Sequence, residues 1–565
     1  MSAIDWTVLV VTLGALVGRG VWKGRGSNDV KGFLLADRGM PWYTVALSIM
    51  ATQASAITFT STPGQAYADG LRFVQYYFGL PIAMVILCVT AVPLFHRLGV
   101  YTAYEFLEHR FDLKTRTLTS LMFLLQRGLG AGMTIYAPSL LLSVLMGWDI
   151  RWTSAGIGGT IILIMATGGV KAVNWADVQL FAAILVGMVV AFIATFLALP
   201  TDISIAEAFS VAGVAGRMNA IDLAFDLDDR YTLWSGVVGG LFIALAYFGT
   251  DQSQVQRYLT GASVTQSRLG LLFNGMAKVP MQFFILLIGV MVFVVYQFER
   301  PPVFFNPVAV ERAKQGEHRR MFEAAEEAFA QAHEGQQRAY RQYLDAERRG
   351  DDNGVIEAAI LIEQWKAAKT SARSSATEAI IMTDPQVDPA DTNYVFLTFV
   401  LTHLPVGLIG LLFACVLAAS LTSSSGELSA LATASIVDLY RRHWRPHADD
   451  REALTASRWF MVAWGLYAIG FSQYAVRLGS LIEAVNIIGS LFYGTLLGIF
   501  LLAFYVTRVR GTAVFWSAFV GEAAVFACFL WTDISWLWYN VVGCVVVVVS
   551  ALTLQAFTPE REAAR

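Results

Sequence analysis

The segment Trp42–Gly70, WYTVALSIMATQASAITFTSTPGQAYADG, narrows the fold more than any other stretch of this chain. It is long and apolar enough to enter a bilayer. Yet it carries Ser48, Thr52, Gln53, Ser55, Thr58, Thr60, Ser61 and Thr62, followed by Pro63-Gly64. Lipid tails cannot hydrogen-bond, so a broken, hydroxyl-rich span survives only where it is buried in protein or lines a watery cavity. Breaks of this kind hold a solute or a cation near the membrane midplane.

Composition agrees. Hydrophobic residues make up 56% of the 565 and charged ones 15%, against about 25% charged in soluble domains. The chain therefore reads as an all-α polytopic membrane protein set in a lipid bilayer. A net charge of -3 argues against nucleic acid as a partner. Cys88, Cys415, Cys528 and Cys544 lie in apolar runs without paired spacing, so no disulfide framework or metal cluster is expected. The His residues show no ligand pattern, and there is no nucleophile motif or phosphate-cradling glycine loop, so the chain is not expected to be an enzyme.

Stretches able to cross a bilayer occur near 4–22, 41–68, 74–96, 117–147, 154–170, 175–199, 233–256, 268–298, 400–440, 454–474, 479–507, 511–532 and 535–557, about thirteen transmembrane helices. The first is not a signal peptide, because Asp5 precedes it while Arg19, Lys23, Arg25 and Lys31 follow it. That bias puts the N-terminus outside and the C-terminus in the cytoplasm of a cell (inner) membrane. The clusters Lys23/Arg25/Lys31/Arg38, Arg97/Arg110/Lys114/Arg116, Arg257/Arg268, Arg441/Arg442/Arg445/Arg451 and Arg508/Arg510 then all fall on the cytoplasmic side.

Residues 300–391 interrupt the membrane domain, separating 1–299 from 392–565. They are rich in Ala, Glu, Arg and Gln. Met321, Phe322, Ala325 and Phe329 recur at helical spacing, GDDNG at 350–354 forms a turn, and Val355, Ile356, Ala359 and Ile360 resume the apolar stripe. The expectation is an antiparallel helical hairpin in an extracytoplasmic loop. It is either a solvated insertion or a device that caps the entrance or recruits an extracytoplasmic partner.

A charge at bilayer depth is costly and marks a functional candidate. Asp177, Asp251, Lys278, Glu427, Glu483, Glu522 and Arg127 qualify. For Asp251, Glu522 and Arg127 the competing reading is a position at a span end, snorkelling to water or pairing with one another. In the run 418–438, AASLTSSSGELSALATASIVD, Ala419, Thr422 and Ser423 share one helical face. Sodium is a small hard cation that wants several oxygen ligands. Two hydroxyls, the Ala419 carbonyl and carbonyls freed near Ala51 and Ala54 could supply five. The same small residues also suit close helix packing, and spacing alone leaves both readings open.

Five segments in order resemble the sodium/solute symporter family: FLLADRGMPWYTVALSIMATQASAITF, RLGVYTAYEFLEHRFD, GGVKAVNWADVQ, TDQSQVQRYL and the 418–440 run ending in DLY. That family includes sodium-coupled glucose, proline, sialic acid, iodide, multivitamin and monocarboxylate transporters. The likeness runs from about residue 30 to 510, interrupted by 300–391. It implies a LeuT-like core of two inverted five-helix repeats, roughly 41–199 and 233–507, working by alternating access. Residue by residue, it implies a sodium site formed by the carbonyls of Ala51, Ala54 and Ala419 and the hydroxyls of Thr422 and Ser423. A second sodium would use Asp177 with Thr422 and Ser425, although Gly426 stands where the family has another hydroxyl.

For the solute, the resemblance points to Gln53, Ser55 and Thr58 on the broken helix, to Lys278, which matches a sugar-contacting lysine, and to Asn486, where glucose transporters place a glutamine. Gly130 replaces the arginine of sialic acid transporters, and Arg127 lies one turn away. The segment MTIYAPSLLL most resembles the monocarboxylate and multivitamin branch. The expected function is sodium-coupled symport of a small polar organic solute, a sugar, sialic acid or carboxylate. One alternative is a membrane sensor or receptor subunit on a transporter fold, although no signalling domain follows the last span. The other is proton coupling through Asp177 or Glu427.

Overall fold

The computed structural model describes residues 1–24, 38–53, 55–475 and 479–557; within helices, the side chains of 16–17, 19–24 and 164–180 are outside the described set. Helix α1 (Ala3–Gly24) leads to a broken pair, α2 (Trp42–Gln53) and α3 (Ala56–Asp69). Ser55, in extended backbone at φ -76° and ψ 176°, is part of the break. After a 3-10 turn, Gly70–Tyr77, come α4 (Leu80–Val89), α5 (Ala91–Leu98), α6 (Ala103–Arg110) and α7 (Leu113–Met146). A Thr102/Glu105 capping box starts α6, and the Asp112 carboxylate accepts from the Thr115 amide to start α7.

Helical bonding then runs unbroken through α8 (Ile150–Leu197), where two spans are expected. The polar joint TGGVKAVNWAD carries no proline or cap able to stop it. Beyond α9 (Ile205–Val214), a π-helical turn at Ser235–Gly239 feeds α10 (Gly240–Gly249). Its successor, α11 (Gln252–Leu259), begins after Thr250-Asp251, with Asp251 as N-cap, so a second helix is broken. The long α12 (Val264–Phe298) packs along α2 and α3.

The insertion holds α13 (Pro307–Gln315), α14 (Arg319–Arg349) and α15 (Asp352–Thr383). Gly350, left-handed at φ +67°, turns α14 into α15, and the two long helices pack side by side. Phe322, Ala325 and Phe329 are buried on α14. The stripe on α15 differs from the expectation: Ile356 and Ile360 are 59% and 55% exposed, whereas Ala358, Ile362, Ala372 and Ala376 are buried. The contact face is shifted to Ala358, Ile362, Ala372, Ala376 and Ile380, and the Trp365 ring lies against Gly335 of α14.

Then follow α16 (Thr392–His403), α17 (Leu408–Ala434) with a π-helical extension to Trp444, α18 (Asp450–Ser472), α19 (Leu481–Tyr505), α20 (Gly511–Trp531) and α21 (Trp536–Phe557). Seven described helical stretches are long and apolar enough to cross a membrane. Other apolar pieces, such as 235–249 and 181–197, are shorter. Two glycines let the core close around α3: a Cβ on Gly64 would strike the Thr392 carbonyl of α16, and one on Gly289 of α12 would strike that of Pro63.

Candidate functional site

The end of α2 at Gln53 leaves its last carbonyls without helical partners. The Thr58 hydroxyl donates to the Gln53 carbonyl at 2.8 Å, and the Ser423 hydroxyl of α17 donates to that of Thr52 at 3.0 Å. Thr422 donates to the Ala419 carbonyl at 3.0 Å. The broken early helix and the hydroxyl face of α17 therefore touch, 371 residues apart in sequence. Hydroxyls that donate in this way keep lone pairs free to face a cation. Ala51, Ala419, Thr422 and Ser423 are all buried here. Ala54 and the Asp177 side chain lie outside the described residues. Thr422 and Ser425 are both buried and one turn apart on α17.

A cavity opens beside this contact, lined by Gln53, Ser55, Thr58, Lys278, Ser423 and Asn486, and by Tyr76, Tyr77, Tyr247 and Tyr493. Gln53 is held by the Asn274 side chain at 3.1 Å. Asn486 accepts from the Tyr76 hydroxyl at 3.1 Å and donates to the Ile482 carbonyl at 2.7 Å. The five solute candidates thus share one chamber. Lys278 is 2% exposed and lies 5.8 Å from the centre of the Tyr77 ring. No carboxylate among the described residues pairs with it.

On the opposite wall Arg127 of α7 sits between two carboxylates. It donates to Glu427 at 3.1 Å and to Tyr493 at 2.7 Å, and bonds Asp251 closely. Tyr493 donates to Asp251 at 2.9 Å, and Thr134 donates to Glu427 at 2.8 Å. All these side chains are buried. Of the span-end and pairing readings, pairing holds for Arg127 and Asp251, with Glu427 as third member. The missed feature is the tyrosine shell: hydroxyl-bearing rings inside apolar spans were its only signal in the sequence.

Two further polar clusters lie beyond the cavity lining. At one, Glu483 of α19 accepts from Arg230 at 2.8 Å and from the Tyr231 hydroxyl, while Gln65 of α3 lies 3.4 Å away. At the other, Asp438 accepts from Thr102 at 2.9 Å and pairs with Arg116 at 2.7 Å, and Glu108 joins Arg116 to Arg442.

Two broken helices lining a polar cavity inside an apolar helical bundle define a membrane transporter core. The sodium:solute symporter family model matches residues 33–331 and 375–521, and the chain belongs to that family. It is 27% identical over 514 residues to the human sodium-coupled monocarboxylate transporter 1, covering 90% of this chain and 69% of that one. It is 26% identical over 517 residues to the Oryctolagus cuniculus sodium-dependent multivitamin transporter, covering 89% and 66%. Against the human sodium/iodide cotransporter it is 32% identical over 276 residues, 48% of this chain and 42% of that one. Among solved structures, a substrate-bound outward-open Na+-coupled sialic acid symporter superposes with a TM-score of 0.75 at 21% identity, covering 99% and 98%. The fold is the LeuT-like one expected.

Proposed function

We propose that this chain couples sodium entry to uptake of a small organic solute bearing a carboxylate, by alternating access. The observation that carries the reading is the direct contact of Ser423 with the Thr52 carbonyl at the cavity wall. It brings neutral oxygens of α2 and α17 together where one small hard cation can be caged. The cage carries no formal charge, which suits the reversible binding a transport cycle needs. Sodium bound there would tie α2 to α17, and the solute would then fill the chamber of Gln53, Ser55, Thr58, Lys278 and Asn486 before one bundle rocks over the other.

The carboxylate is favoured over a sugar by charge. Arg127 is neutralised by Asp251 and Glu427, while Lys278 faces the cavity with no acidic partner among the described residues. A buried unpaired ammonium costs several kcal/mol, which an anionic solute would offset. The names of the monocarboxylate and multivitamin relatives point the same way. In this reading the Glu483 mouth opens outward, and the Asp438–Arg116–Arg442 end, in the arginine-rich loops, faces the cytoplasm. A second sodium at Asp177, Thr422 and Ser425 belongs to the same scheme.

The test is uptake into proteoliposomes and thermal stabilisation of the purified protein, with short carboxylates, sialic acids and sugars, each with and without sodium. Sodium-dependent uptake and stabilisation by a carboxylate are expected, since a ligand of the folded state must raise its stability. Uptake that ignores sodium and follows an imposed pH gradient would overturn the coupling ion. A response confined to sugars would overturn the solute class.

A further inference from the structure

The hairpin is tied to the first turn of α19, which leads into the cavity-lining residues Ile482, Val485 and Asn486, by hydrogen bonds that meet on the segment 388–393. Arg373 of α15 donates to Asp391 at 2.6 Å, and the other oxygen of Asp391 accepts from the Phe305 amide at 2.6 Å. Two residues on, Asn393 donates to the Gly479 carbonyl at 3.0 Å and accepts from the Leu481 amide at 3.2 Å. Asp388 accepts from the Gly479 amide at 2.6 Å. The first turn of α19 is thus gripped from the insertion side. That turn in turn holds α3: Ser480 donates to Gln65 at 2.8 Å, and Ser61 accepts from the Ile482 amide at 3.1 Å. Glu483, which accepts from Arg230 and Tyr231, is the next residue.

We propose that the hairpin is a latch on the outer gate, with Arg373, Asp391 and Asn393 as positioning residues that hold the start of α19 against α3. Three observations favour this over a solvated insertion. Asp391 is 3% exposed and fully engaged, and a buried paired carboxylate is costly to strand. Gly64 of α3 abuts the Thr392 carbonyl, so the residue between Asp391 and Asn393 leaves no slack in the link. Arg373 falls in 332–374, the stretch between the two matched parts of the family model, so this chain supplies the link itself. The far half of the hairpin is also fixed: Arg348 donates to Glu207 at 2.6 Å and Ser210 to Glu347 at 2.8 Å, anchoring it to α9.

The proposal rests on the alternating-access reading, and its test does not need the solute. A membrane-impermeant maleimide is offered from the outer side to Ala244→Cys, a cavity-wall position on α10, with labelling of the unaltered chain subtracted. Adding Arg373→Gln, Asp391→Asn or Asn393→Ala should speed labelling about fivefold or more, the size of a modest coupling energy. Arg373→Lys, which keeps the charge, should return the rate towards the parent. Thermal melting of each variant is recorded alongside, and replacement of 319–383 by a short linker gives an independent arm should Asp391→Asn not fold. Labelling within about twofold of the parent in every folded variant would overturn the latch. Loss of sodium-dependent uptake by the native chain would instead strike the function reading and leave this result standing.

Discussion

At the scale of single residues, Arg127 bridges two buried carboxylates, Asp251 and Glu427. It satisfies two carboxylates, and removing it would strand both in a water-poor site. Breaking a buried pair costs about 3–5 kcal/mol, so Arg127→Met should lower the folded yield sharply on size-exclusion chromatography. Arg127→Met with Glu427→Gln should recover part of it, because one stranded charge is gone. Lys278 differs, since no carboxylate among the described residues pairs with it and its ammonium lies over the Tyr77 ring. Lys278→Met should raise the KM for a carboxylate about tenfold, the worth of one charge-assisted bond, and leave the half-saturating sodium concentration unchanged. An unchanged KM would remove Lys278 from the solute site. The charges themselves were legible as costly intramembrane residues. Their pairing was not, because Arg127 meets partners 124 and 300 residues away, and no local spacing encodes that.

At the scale of elements, the helix breaks follow from particular residues. The hydroxyl-rich 42–62 stretch foretold the first break, and its carbonyls are taken by Thr58 and Ser423 as a span in lipid requires. The break at Thr250-Asp251 went unforeseen because Asp251 reads equally well as a span end and as an N-cap. The α15 register differs from the expected one because Ile356 and Ile360 carry as strong an apolar signal as Ile362, yet the face that meets α14 runs through Ala358, Ile362 and Ala372. Gly64→Ala tests the packing directly. Its methyl would drive α3 from the Thr392 carbonyl, so overpacking of about 1–3 kcal/mol should appear as a lowered melting temperature.

The hairpin also has a pH signature. Lys369 is half-buried between α14 and α15, donating to Gln336 at 3.1 Å and lying 3.2 Å from His333, with Arg373 one turn away. Burial pushes its pKa down from 10.5 to about 7. Burial, with Lys369 and Arg300 nearby, holds His333 at about 3. Between about 7 and 10.5 the unfolded lysine binds more protons than the folded one, so hairpin stability rises with pH there. Melting curves of the purified protein should shift upward from neutral to alkaline pH, and Lys369→Met should flatten that limb. An equal slope in the variant would assign the effect elsewhere.

At the scale of the whole molecule, two discontinuous helices line a polar cavity inside an apolar bundle, and charged clusters at Glu483 and at Asp438 lie beyond its lining. Membership of the sodium:solute symporter family fits that architecture. Composition and the repeated basic loops made the membrane class legible, and five ordered segments made the family legible. The count of thirteen spans was less so, because hydropathy registers apolar length and not continuity: α8 runs through an expected boundary, while the 400–440 stretch splits at Leu404–Gly407.

The sharpest measurement is the sodium dependence of solute uptake in proteoliposomes by the native chain and by Thr422→Ala with Ser423→Ala. Loss of two oxygen ligands should raise the sodium concentration for half-maximal uptake about tenfold or more, each 1.4 kcal/mol being a factor of ten, with the protein still folded. An unaltered sodium curve in the double variant would contradict the caging of sodium between α2 and α17.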